Sequence, residues 1–549
     1  MLNSNLVPNW TFKMLKQINE GDYATLSLIV MNGAYDNKHI NIFRRMFNRK
    51  NIFFGIVVDK VDRLARKITP NYYAPKNIAN IFKSVPIVNA VPLQKKYSDY
   101  FSIDTIKDIM SYELDVMIRL GFRIIKGDML KCAKFGVWSY HHADNRKNRG
   151  GPPGFWEVME GWPETGSVLQ ILSDDLDAGD VIYRSFSMTD YLLINRNRSN
   201  YYWKSLSFVP RKLRELHQIG GDEFNKRIKN ENQHPVFYSN KLFKAPTNKE
   251  MFYLALRHYL KIVFKICKEF FYVNQWILLY SLKQNGSLST SFWKFKRIIP
   301  PLDRFWADPF LVFKDNKYFI FIEEVFFKAN KGHISCLTIN ENGSYSIPQK
   351  VLEAPYHLSY PFVFIHDNNY YMIPETKANR TIELYKCTKF PDEWVLIKTL
   401  MKDVIAVDTT LYCQDGYWWL FTNICENEGA STADELFLFY SADLLSTDWA
   451  SHPMNPIVSD VKSARSAGSI FSYNGNIYRP SQNNSNWYGY GMKINHIVAL
   501  SKTEYREECI NDIIPKWDKK IKGMHTLNHV QGLTVIDGWL KRSRLPHCL

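Results

Sequence analysis

The sequence predicts a multidomain protein of three parts. These are a Rossmann-like α/β region over residues 1–185, a helical and aromatic basic connecting region over residues 186–299, and a five-bladed β-propeller over residues 300–549. Three observations predict this fold class. Short apolar runs alternate with amphipathic stretches in the first third of the chain. Apolar residues then follow helical spacing with Lys and Arg between them, and from residue 300 onward a segment of about 50 residues repeats.

The composition supplies apolar material for several cores and leaves a large positive charge. Hydrophobic residues make up 46% of the 549 residues and aromatic residues 15%, which excludes a disordered chain. The net charge of +16 favours acidic ligands such as phosphates, nucleotide-sugars, folate glutamates or anionic lipid, or else reflects a basic composition without a functional role. The basic residues are dispersed and no nucleic-acid-binding motif occurs, so nucleic acid is not an expected partner.

Cysteine spacing and apolar segments predict the cellular setting. The 8 cysteines do not lie at metal-finger or redox-pair spacing, so we expect neither a metal site nor a disulfide scaffold. The first residues lack the apolar core of a signal peptide, and Lys or Arg interrupts the longest apolar stretches. A cytoplasmic protein is expected.

The α/β region is predicted from alternating elements. Residues 26–31, 52–58 and 114–118 are apolar runs typical of buried parallel strands. Residues 37–47 and 103–110 have helical spacing. Strands that alternate with helices indicate a Rossmann-like sheet.

The spacing of apolar residues predicts two amphipathic helices in the connecting region, over residues 202–216 and 251–272. The second combines aromatic residues with a basic face. Such a helix either packs against its neighbours or lies on a membrane surface. The sequence therefore leaves open a peripheral contact with the inner face of the membrane.

The repeat predicts the propeller. Its segments begin at Ala307, Tyr360, Val407, Ser466 and Leu527, and each has a small or polar entry, an alternating strand and an Asn/Asp/Gly turn. About 250 residues divided into units of about 50 residues give five blades.

A polar constellation follows the last predicted strand of the α/β region. His141 and His142 end a strand, and an acidic loop from Ser173 to Gly179 comes later. A histidine at the carboxyl end of a parallel strand faces the crevice where such sheets bind ligands, and a later aspartate can orient it. A loop histidine without a partner is the alternative.

The wider segment resembles the 10-formyltetrahydrofolate-dependent formyltransferases, the family of methionyl-tRNA and nucleotide-sugar N-formyltransferases. The family's histidine falls on His141, its Arg-Gly on Arg149 and Gly150, its Glu-Thr-Gly turn on residues 164–166 and its aspartate on Asp177. The resemblance covers about residues 25–185.

The resemblance implies formyl transfer with 10-formyltetrahydrofolate as the cofactor. His141 would take the proton of a substrate amine, and Asp177 would hold the imidazole in the right tautomer. The resemblance also implies a set of cofactor-binding residues: Leu120, Gly121, Phe122, Arg149, Gly150, Asp174 and Asp175.

One position departs from the family pattern. Ser139 stands where the family has an asparagine that donates a hydrogen bond to the developing oxyanion. Loss of such a donor typically costs about 10²–10³ in rate. Either His142 supplies the missing donor, or the domain has altered chemistry or is inactive.

The repeat region looks like five-bladed glycosidase-type propellers and is similar to the amino-terminal propeller of plant glucosamine inositolphosphorylceramide transferases. Three carboxylates from successive blades, Asp308, Glu375 and Asp408, are candidates for binding sugar. Trp306, Tyr360 and His529 are candidates for stacking on sugar rings. The alternative is that the acids only cap strands.

These predictions combine into one functional hypothesis. The protein transfers a formyl group to the amine of an amino sugar in glycan biosynthesis, with a nucleotide-linked sugar favoured. Its partners are small-molecule nucleotide-sugar or glycan substrates. One alternative is glycosidase or glycosyl-transfer activity in the propeller, with a silent first domain. Another is a non-catalytic glycan-binding module. The oligomeric state is not predicted.

Overall fold

The computed structural model describes residues 1–35, 53–65, 70–79, 81–176 and 178–544. The chain divides into two compact units. The first contains Met1–Ile262 with Asn427–Ala430, and the second contains Val263–Glu426 with Ser431–Leu549.

Short strands and eight helices build the first part of the described chain. The strands are β1 (Leu6–Pro8), β2 (Ile29–Asn32), β3 (Pro75–Asn77), β4 (Ile87–Ala90), β5 (Leu93–Gln94), β6 (Ser98–Tyr100), β7 (Met117–Arg119), β8 (Ile124–Ile125), β9 (Val137–His141), β10 (Glu164–Ile171) and β11 (Val181–Met188). The helices are α1 (Asn9–Glu20), α2 (Phe53–Ala65), α3 (Ile103–Met110), α4 (Trp156–Glu160), α5 (Ile194–Ser205), α6 (Phe208–Ile219), α7 (Gly221–Glu231) and α8 (Asn248–Phe271).

The sheets of this part are mixed rather than one doubly wound sheet. β2 pairs with β4, β6 with β8 and β7 with β9, all in parallel, whereas β9, β10 and β11 are antiparallel. The first residues connect these sheets, since Leu2 bridges Met31 and the amides of Leu120 and Gly121 donate to the Met1 carbonyl. The predicted α/β character is present, but a single Rossmann-like sheet is not seen among the described residues.

Two of the predicted strands and one helix lie near their expected positions. β2 and β7 overlap the predicted runs, and α3 begins as expected because Ser102 caps it by accepting a hydrogen bond from the Thr105 amide at 3.2 Å. The predicted strand over residues 52–58 is wrong, because helix α2 begins at Phe53. The predicted helix over residues 37–47 lies outside the described residues.

Helix α8 ends where the carboxy-terminal sheets begin. A capping box starts the helix, since the Thr247 amide donates to Glu250 Oε2 at 2.8 Å and the Glu250 amide donates to Thr247 Oγ1 at 3.4 Å. The next strand follows directly at Tyr272. The region predicted as helical up to residue 299 therefore has its last α-helix end at Phe271 and continues in strands. Residues 277–280 are buried one after another, as in a strand covered on both faces.

Twenty strands form the rest of the described chain. They are β12 (Tyr272–Leu282), β13 (Lys296–Ile298), β14 (Arg304–Lys314), β15 (Lys317–Phe326), β16 (Gly332–Ile339), β17 (Gln349–Leu352), β18 (Ser359–His366), β19 (Asn369–Thr376), β20 (Thr381–Lys389), β21 (Glu393–Lys402), β22 (Ala406–Gln414), β23 (Tyr417–Ile424), β24 (Leu436–Ser441), β25 (Ala450–Ser451), β26 (Phe471–Tyr473), β27 (Asn476–Asn483), β28 (Gly491–Leu500), β29 (Tyr505–Ile513), β30 (Leu527–Val530) and β31 (Leu533–Ser543).

These strands form five four-stranded antiparallel sheets. Four sheets use consecutive strands, from β14–β17 to β26–β29, and the fifth has the order β13-β12-β31-β30. β12 pairs with β31 from Tyr272 opposite Ser543 to Leu282 opposite Leu533, so the first and last strands of the region share one sheet. The prediction of a β-propeller-like carboxy-terminal region is confirmed. Among the described residues, no helix is both long enough and apolar enough to cross a membrane.

Candidate functional site

His141 is the last residue of strand β9, where strand β10 pairs with it. β9 lies between β7 and β10 in the mixed sheet, and His141 pairs opposite Val168. Its Nε2 lies 2.7 Å from the Asn148 carbonyl oxygen. Because a carbonyl can only accept, Nε2 donates in this contact and carries a proton. The hydrogen bond fixes the orientation of the ring.

Glu157 is a buried acid one step away from His141. Asn148, whose carbonyl holds His141, donates its side-chain Nδ2 to Glu157 Oε1 at 3.0 Å. Both Asn148 and Glu157 are 1% exposed, and burial raises the pKa of Glu157 to about 7. Glu157 Oε2 and Asn148 Oδ1 have no hydrogen-bond partner in the described part of the chain. Sequence reasoning missed both residues; the signal was an acid directly after Trp156 within an apolar helix.

Ser139 is also buried, and its hydroxyl is engaged. Arg119 donates from Nη1 to Ser139 Oγ at 3.0 Å and from Nε to the Arg123 carbonyl at 3.0 Å. The guanidinium therefore places positive charge at the position where the family resemblance puts an oxyanion donor.

His142 points to the opposite face of the strand from His141. Its ring stacks on Tyr140 at 5.5 Å and on Tyr201 at 4.9 Å, and it meets Tyr202 edge-on at 4.5 Å. Side chains alternate across a strand, so this face is not the one that holds Ser139 and His141. Burial and then His141 lower the pKa of His142 to about 3, which keeps its ring neutral. His142 is not placed to supply the donor that Ser139 replaces.

The loop assigned to the folate by resemblance has its amides occupied. The amides of Leu120 and Gly121 donate to the Met1 carbonyl at 3.1 and 3.0 Å, and the Phe122 amide donates to Asn3 Oδ1 at 2.8 Å. A ligand at this loop would meet the carbonyls and side chains instead of these amides.

The remaining assigned residues belong to two segments between elements, one before α4 and one between β10 and β11. Arg149 donates from Nε to the Asn145 carbonyl at 3.0 Å, and Gly150, at a φ of +105°, leaves no room for a Cβ beside the Phe243 carbonyl. Asp174 accepts from the Gly127 amide at 3.1 Å, and Asp175 is exposed. Asp177 lies outside the described residues, so its position relative to His141 stays a prediction.

A cavity of about 420 Å³ opens elsewhere in the first unit. Residues that precede β2 and β7, among them Leu28 and Asp115, line it together with His217. His141, Ser139 and Glu157 are not among its lining residues. The cavity extends along β2 and β7, since Val30 and Ile118 also line it, and it is separate from the carboxyl end of β9 where His141 lies.

The second unit has a different centre, built at one repeated position. Asp308, Tyr360 and Asp408 have φ values of +50°, +43° and +51°, and Gly468 has +119°. The first three lie at irregularities in the first strands of their sheets, where the register shifts. Non-glycine residues in this conformation cost about 1–3 kcal/mol each and concentrate at functional sites. At this position three of the five sheets carry a polar side chain, Asp308, Tyr360 or Asp408, and a fourth has Gly468.

Asp308 lies within a network of buried groups. Its carboxylate accepts from Thr526 Oγ1 at 2.8 Å and from the Tyr360 amide at 3.3 Å. Burial raises the pKa of Asp308 to about 7, although the nearby His525 opposes this shift. Tyr360 itself is fully buried, and its hydroxyl accepts a hydrogen bond from the Gly468 amide at 2.9 Å. It therefore connects Asp308 to the next sheets and does not offer a surface for a ligand.

His525 is a buried cation beside Asp308. Its Nδ1 pairs with Asp537, and its Nε2 lies 3.8 Å from Asp308 Oδ1. Burial alone would lower the pKa of His525, but Asp537 and Asp308 outweigh burial and raise it to about 9. Asp308, His525 and Asp537 also place three potential metal-ligand atoms within 4.8 Å of one another. A metal there would have to displace the proton of His525.

Arg465 connects the two other predicted carboxylates. Its Nε donates to Asp408 Oδ2 at 2.6 Å, and its Nη2 lies 3.7 Å from Glu375 Oε2. Gln482 donates to the same Asp408 oxygen at 2.8 Å. Burial, and then Asp408, raise the pKa of Glu375 to about 8. Glu375 thus carries a proton at neutral pH beside an ion-paired aspartate.

Aromatic rings frame this centre, but two of the three predicted stacking residues, Trp306 and His529, are not among them. Trp276 stacks on His525 with ring centres 4.0 Å apart, and the ring of Tyr488 lies 5.0 Å from the Arg465 guanidinium. Tyr488 is 43% exposed, whereas Trp306 is 6% exposed. The predicted stacking residues Trp306 and His529 instead bond within the fold, Trp306 to Glu324 at 3.0 Å and His529 to Thr534 at 3.1 Å.

The structure therefore brings Asp308, Asp408 and Glu375 into one charged centre. Sequence reasoning missed the residues that complete it, which are Trp276, Arg465, Gln482, Tyr488, His525 and Asp537. A β-propeller-like region with a buried acidic centre and an exposed aromatic rim is suited to bind polar ring compounds such as sugars.

Comparison with known proteins agrees with this division. Residues 300–533 match the family model described as glucosamine inositolphosphorylceramide transferase 1, N-terminal. Glucosamine inositolphosphorylceramide transferase 1 of Oryza sativa subsp. japonica is 37% identical over 210 residues, 38% of this chain and 28% of the relative. The chain thus matches little more than a quarter of the length of this relative.

Two further likenesses are more distant. Methionyl-tRNA formyltransferase of Bacillus mycoides (strain KBAB4) is 24% identical over 146 residues, 26% of this chain and 43% of the relative. The catalytic domain of the Coprinopsis cinerea GH62 alpha-L-arabinofuranosidase is similar with a TM-score of 0.34 and 10% identity, over 48% of this chain and 97% of that one.

Proposed function

We propose that this protein is a transferase of glycan biosynthesis that moves a formyl group from 10-formyltetrahydrofolate to the amine of a nucleotide-linked amino sugar. The observation that carries the proposal is the held His141, with its Nε2 proton on the Asn148 carbonyl and a buried acid beyond it. The similarity to a methionyl-tRNA formyltransferase supports formyl as the transferred group. The name of the rice relative refers to glucosamine, which supports an amino sugar as the acceptor.

In this reaction His141 would act as the general base. The amine nitrogen attacks the formyl carbon, the bond from that carbon to the folate N10 breaks, and the proton lost by the amine passes through His141 to N10. Arg119 beside Ser139 would stabilise negative charge on the formyl oxygen in place of the family's asparagine. Asp177 remains the proposed partner of His141.

In this proposal the centre of the propeller-like region binds sugar. Arg465, Asp408 and Glu375 offer donors and acceptors for hydroxyl groups, and Tyr488 offers an exposed ring face. The first unit would thus carry the formyl-transfer chemistry and the second unit a sugar-binding site.

A second candidate places the chemistry in that centre. A protonated Glu375 next to the ion-paired Asp408 is an acid–base combination used in glycoside chemistry. These two side chains share a hydrogen bond, however, so they do not flank a glycosidic bond between them. Asp308 would have to provide the opposing carboxylate.

One assay separates the candidates. The full chain is incubated with 10-formyltetrahydrofolate and a panel of nucleotide-linked amino sugars, and formylated product is measured by mass spectrometry. Wild type should form product, and His141→Gln should lose about 10²–10⁴-fold in rate, which is the usual contribution of a general base. The exposed His234→Ala variant is the matched control and should keep full activity.

Two other results would contradict formyl transfer. Absence of formylated product with every sugar, together with glycoside cleavage or transfer that Glu375→Gln abolishes, would replace the first candidate by the second. Sugar binding that survives His141→Gln, Glu375→Gln and Asp308→Asn, without any turnover, would reduce the protein to a binding module.

A further inference from the structure

Helix α8 exposes an unusually large apolar face. Ten of its large apolar side chains are at least 41% exposed, and six of these lie between 55% and 75%. These six are Tyr253, Leu260, Val263, Phe264, Ile266 and Phe270. Exposed apolar patches of this kind are rare on proteins that contact only water, and they mark interaction surfaces.

The exposed apolar residues share one side of the helix. At 100° per residue they fall within an arc of about 160°, and the buried residues Met251, Ala255 and His258 fall in a separate arc of about 60° outside it. A surface helix normally turns its apolar stripe inward. Here the wide apolar face points away from the contacts that bury Met251 and Ala255.

A row of lysines runs along one flank of this face. Lys261, Lys265 and Lys268 fall within an arc of about 60° next to it. The helix sequence carries five basic and two acidic residues. The aromatic Phe264 ring lies 4.3 Å from Lys268 Nζ, so apolar and cationic groups adjoin directly.

We propose that helix α8 lies flat on an anionic lipid surface. Its aromatic and aliphatic side chains enter the boundary between headgroups and acyl chains, and the lysine row meets the lipid phosphates. A face-to-face contact with a second copy of this chain would also bury the apolar side chains. It would bring two rows of like charge into one interface, which the lipid surface avoids.

Vesicle sedimentation tests the proposal with the full chain and does not depend on formyl transfer. The probes are vesicles of phosphatidylcholine alone and of phosphatidylcholine mixed with phosphatidylglycerol. Binding to the anionic vesicles should be at least about tenfold stronger, because each lysine near such a surface is worth about fivefold. High salt should weaken this binding.

Paired variants separate the two contributions. Lys261→Glu with Lys268→Glu should weaken binding to anionic vesicles by about 25-fold or more, and Phe264→Ser with Phe270→Ser should weaken binding to both compositions. Lys226→Glu with Lys229→Glu on α7, and Ile347→Ser with Ile365→Ser, remove exposed groups elsewhere and should bind as wild type.

Three results would overturn the proposal. They are no binding to anionic vesicles, equal binding to both compositions, and unchanged binding by the helix variants. A stable dimer in sedimentation-velocity experiments that Phe264→Ser with Phe270→Ser dissociates would assign the face to a second copy instead.

Discussion

Glu157 shows how a single side chain can be costly for the fold. Its carboxyl is 1% exposed, one of its oxygens has no partner among the described groups, and burial raises its pKa to about 7. When the pKa of a carboxyl is higher in the folded protein than in the unfolded chain, ionisation of that carboxyl lowers the free energy of unfolding. A buried ionisable group that opposes stability is a candidate for function because packing does not explain it.

Glu157→Gln should therefore stabilise the protein at alkaline pH. The contribution of the neutral carboxyl is fully present below pH 4.5, and it is lost as pH rises through about 7. The variant keeps an acceptor for Asn148 and should gain up to about 3 kcal/mol at pH 8, with only a small gain at pH 5.

Urea unfolding at the two pH values measures this difference. Glu160→Gln, on the same helix but at its exposed end, is the control and should show no pH-dependent gain. Equal free energies of unfolding for Glu157→Gln and wild type at pH 8 would mean that the ionised Glu157 carboxylate does not destabilise the folded protein.

The role of a site residue can be predicted when a sequence motif identifies it. It cannot be predicted when the role depends on a pKa shift caused by burial. The pattern around His141 and the three carboxylates of successive repeats, Asp308, Glu375 and Asp408, are visible in the sequence. The raised pKa values of His525 and Glu157 result from burial and from the groups packed against them. These contacts join residues that are distant in the sequence, so residue spacing does not predict them.

At the scale of elements, the positive-φ position recurs at the entry of successive sheets. Asp308, Tyr360, Asp408 and Gly468 occupy it, and the hydrogen bond from the Gly468 amide to Tyr360 Oη connects two of these entries at 2.9 Å. The glycine is required by space as well as by conformation, because a Cβ would lie 2.1 Å from the Leu527 carbonyl oxygen.

Gly468→Ala should therefore destabilise the second unit by about 3 kcal/mol or more, the combined effect of backbone strain and a steric clash. Gly416→Ala is the matched control, since Gly416 has a φ of +75° but no atom within 4 Å of the point where a Cβ would lie. It should cost about 1 kcal/mol. Thermal unfolding compares the two variants, and equal losses would show that crowding at Gly468 is unimportant.

Two elements show why sequence patterns misassign secondary structure. Residues 52–58 form a continuous apolar run, which suits a buried strand and a helix equally, and α2 resolves the ambiguity by leaving Phe53, Ile56 and Val57 exposed. Strand β12 follows α8 without a loop, so the aromatic sequence of the helix continues into the strand and hides the boundary.

At the scale of the whole molecule, stability should depend on the protonation of His525. Its pKa is raised to about 9, so its contribution is fully present below about pH 6.5 and is lost as pH rises through about 9. Wild type should lose up to about 3 kcal/mol over this interval relative to His525→Gln.

Melting temperatures of both proteins between pH 6 and pH 10, in the presence of EDTA, test this expectation. A constant difference between them across the interval would show that His525 does not titrate there. His234→Ala, which changes an exposed histidine, should follow wild type throughout.

The large-scale architecture is easier to predict in the second half of the chain than in the first. A repeat of about 50 residues shows the same strand pattern several times. A strand that is hard to predict in one repeat can therefore be located from the others. The first half has no such repetition, and its sheet depends on pairings such as Leu2 with Met31 that no local pattern encodes.

The pairing of β12 with β31 also sets the order in which the second unit is completed during synthesis. Arg542 donates to Gln275, 267 residues earlier in the chain. A ribosome must therefore release nearly the whole second unit before its fifth sheet forms. Until then the edge of β12 is unpaired along eleven positions, an aggregation-prone surface that a nascent chain has to keep protected.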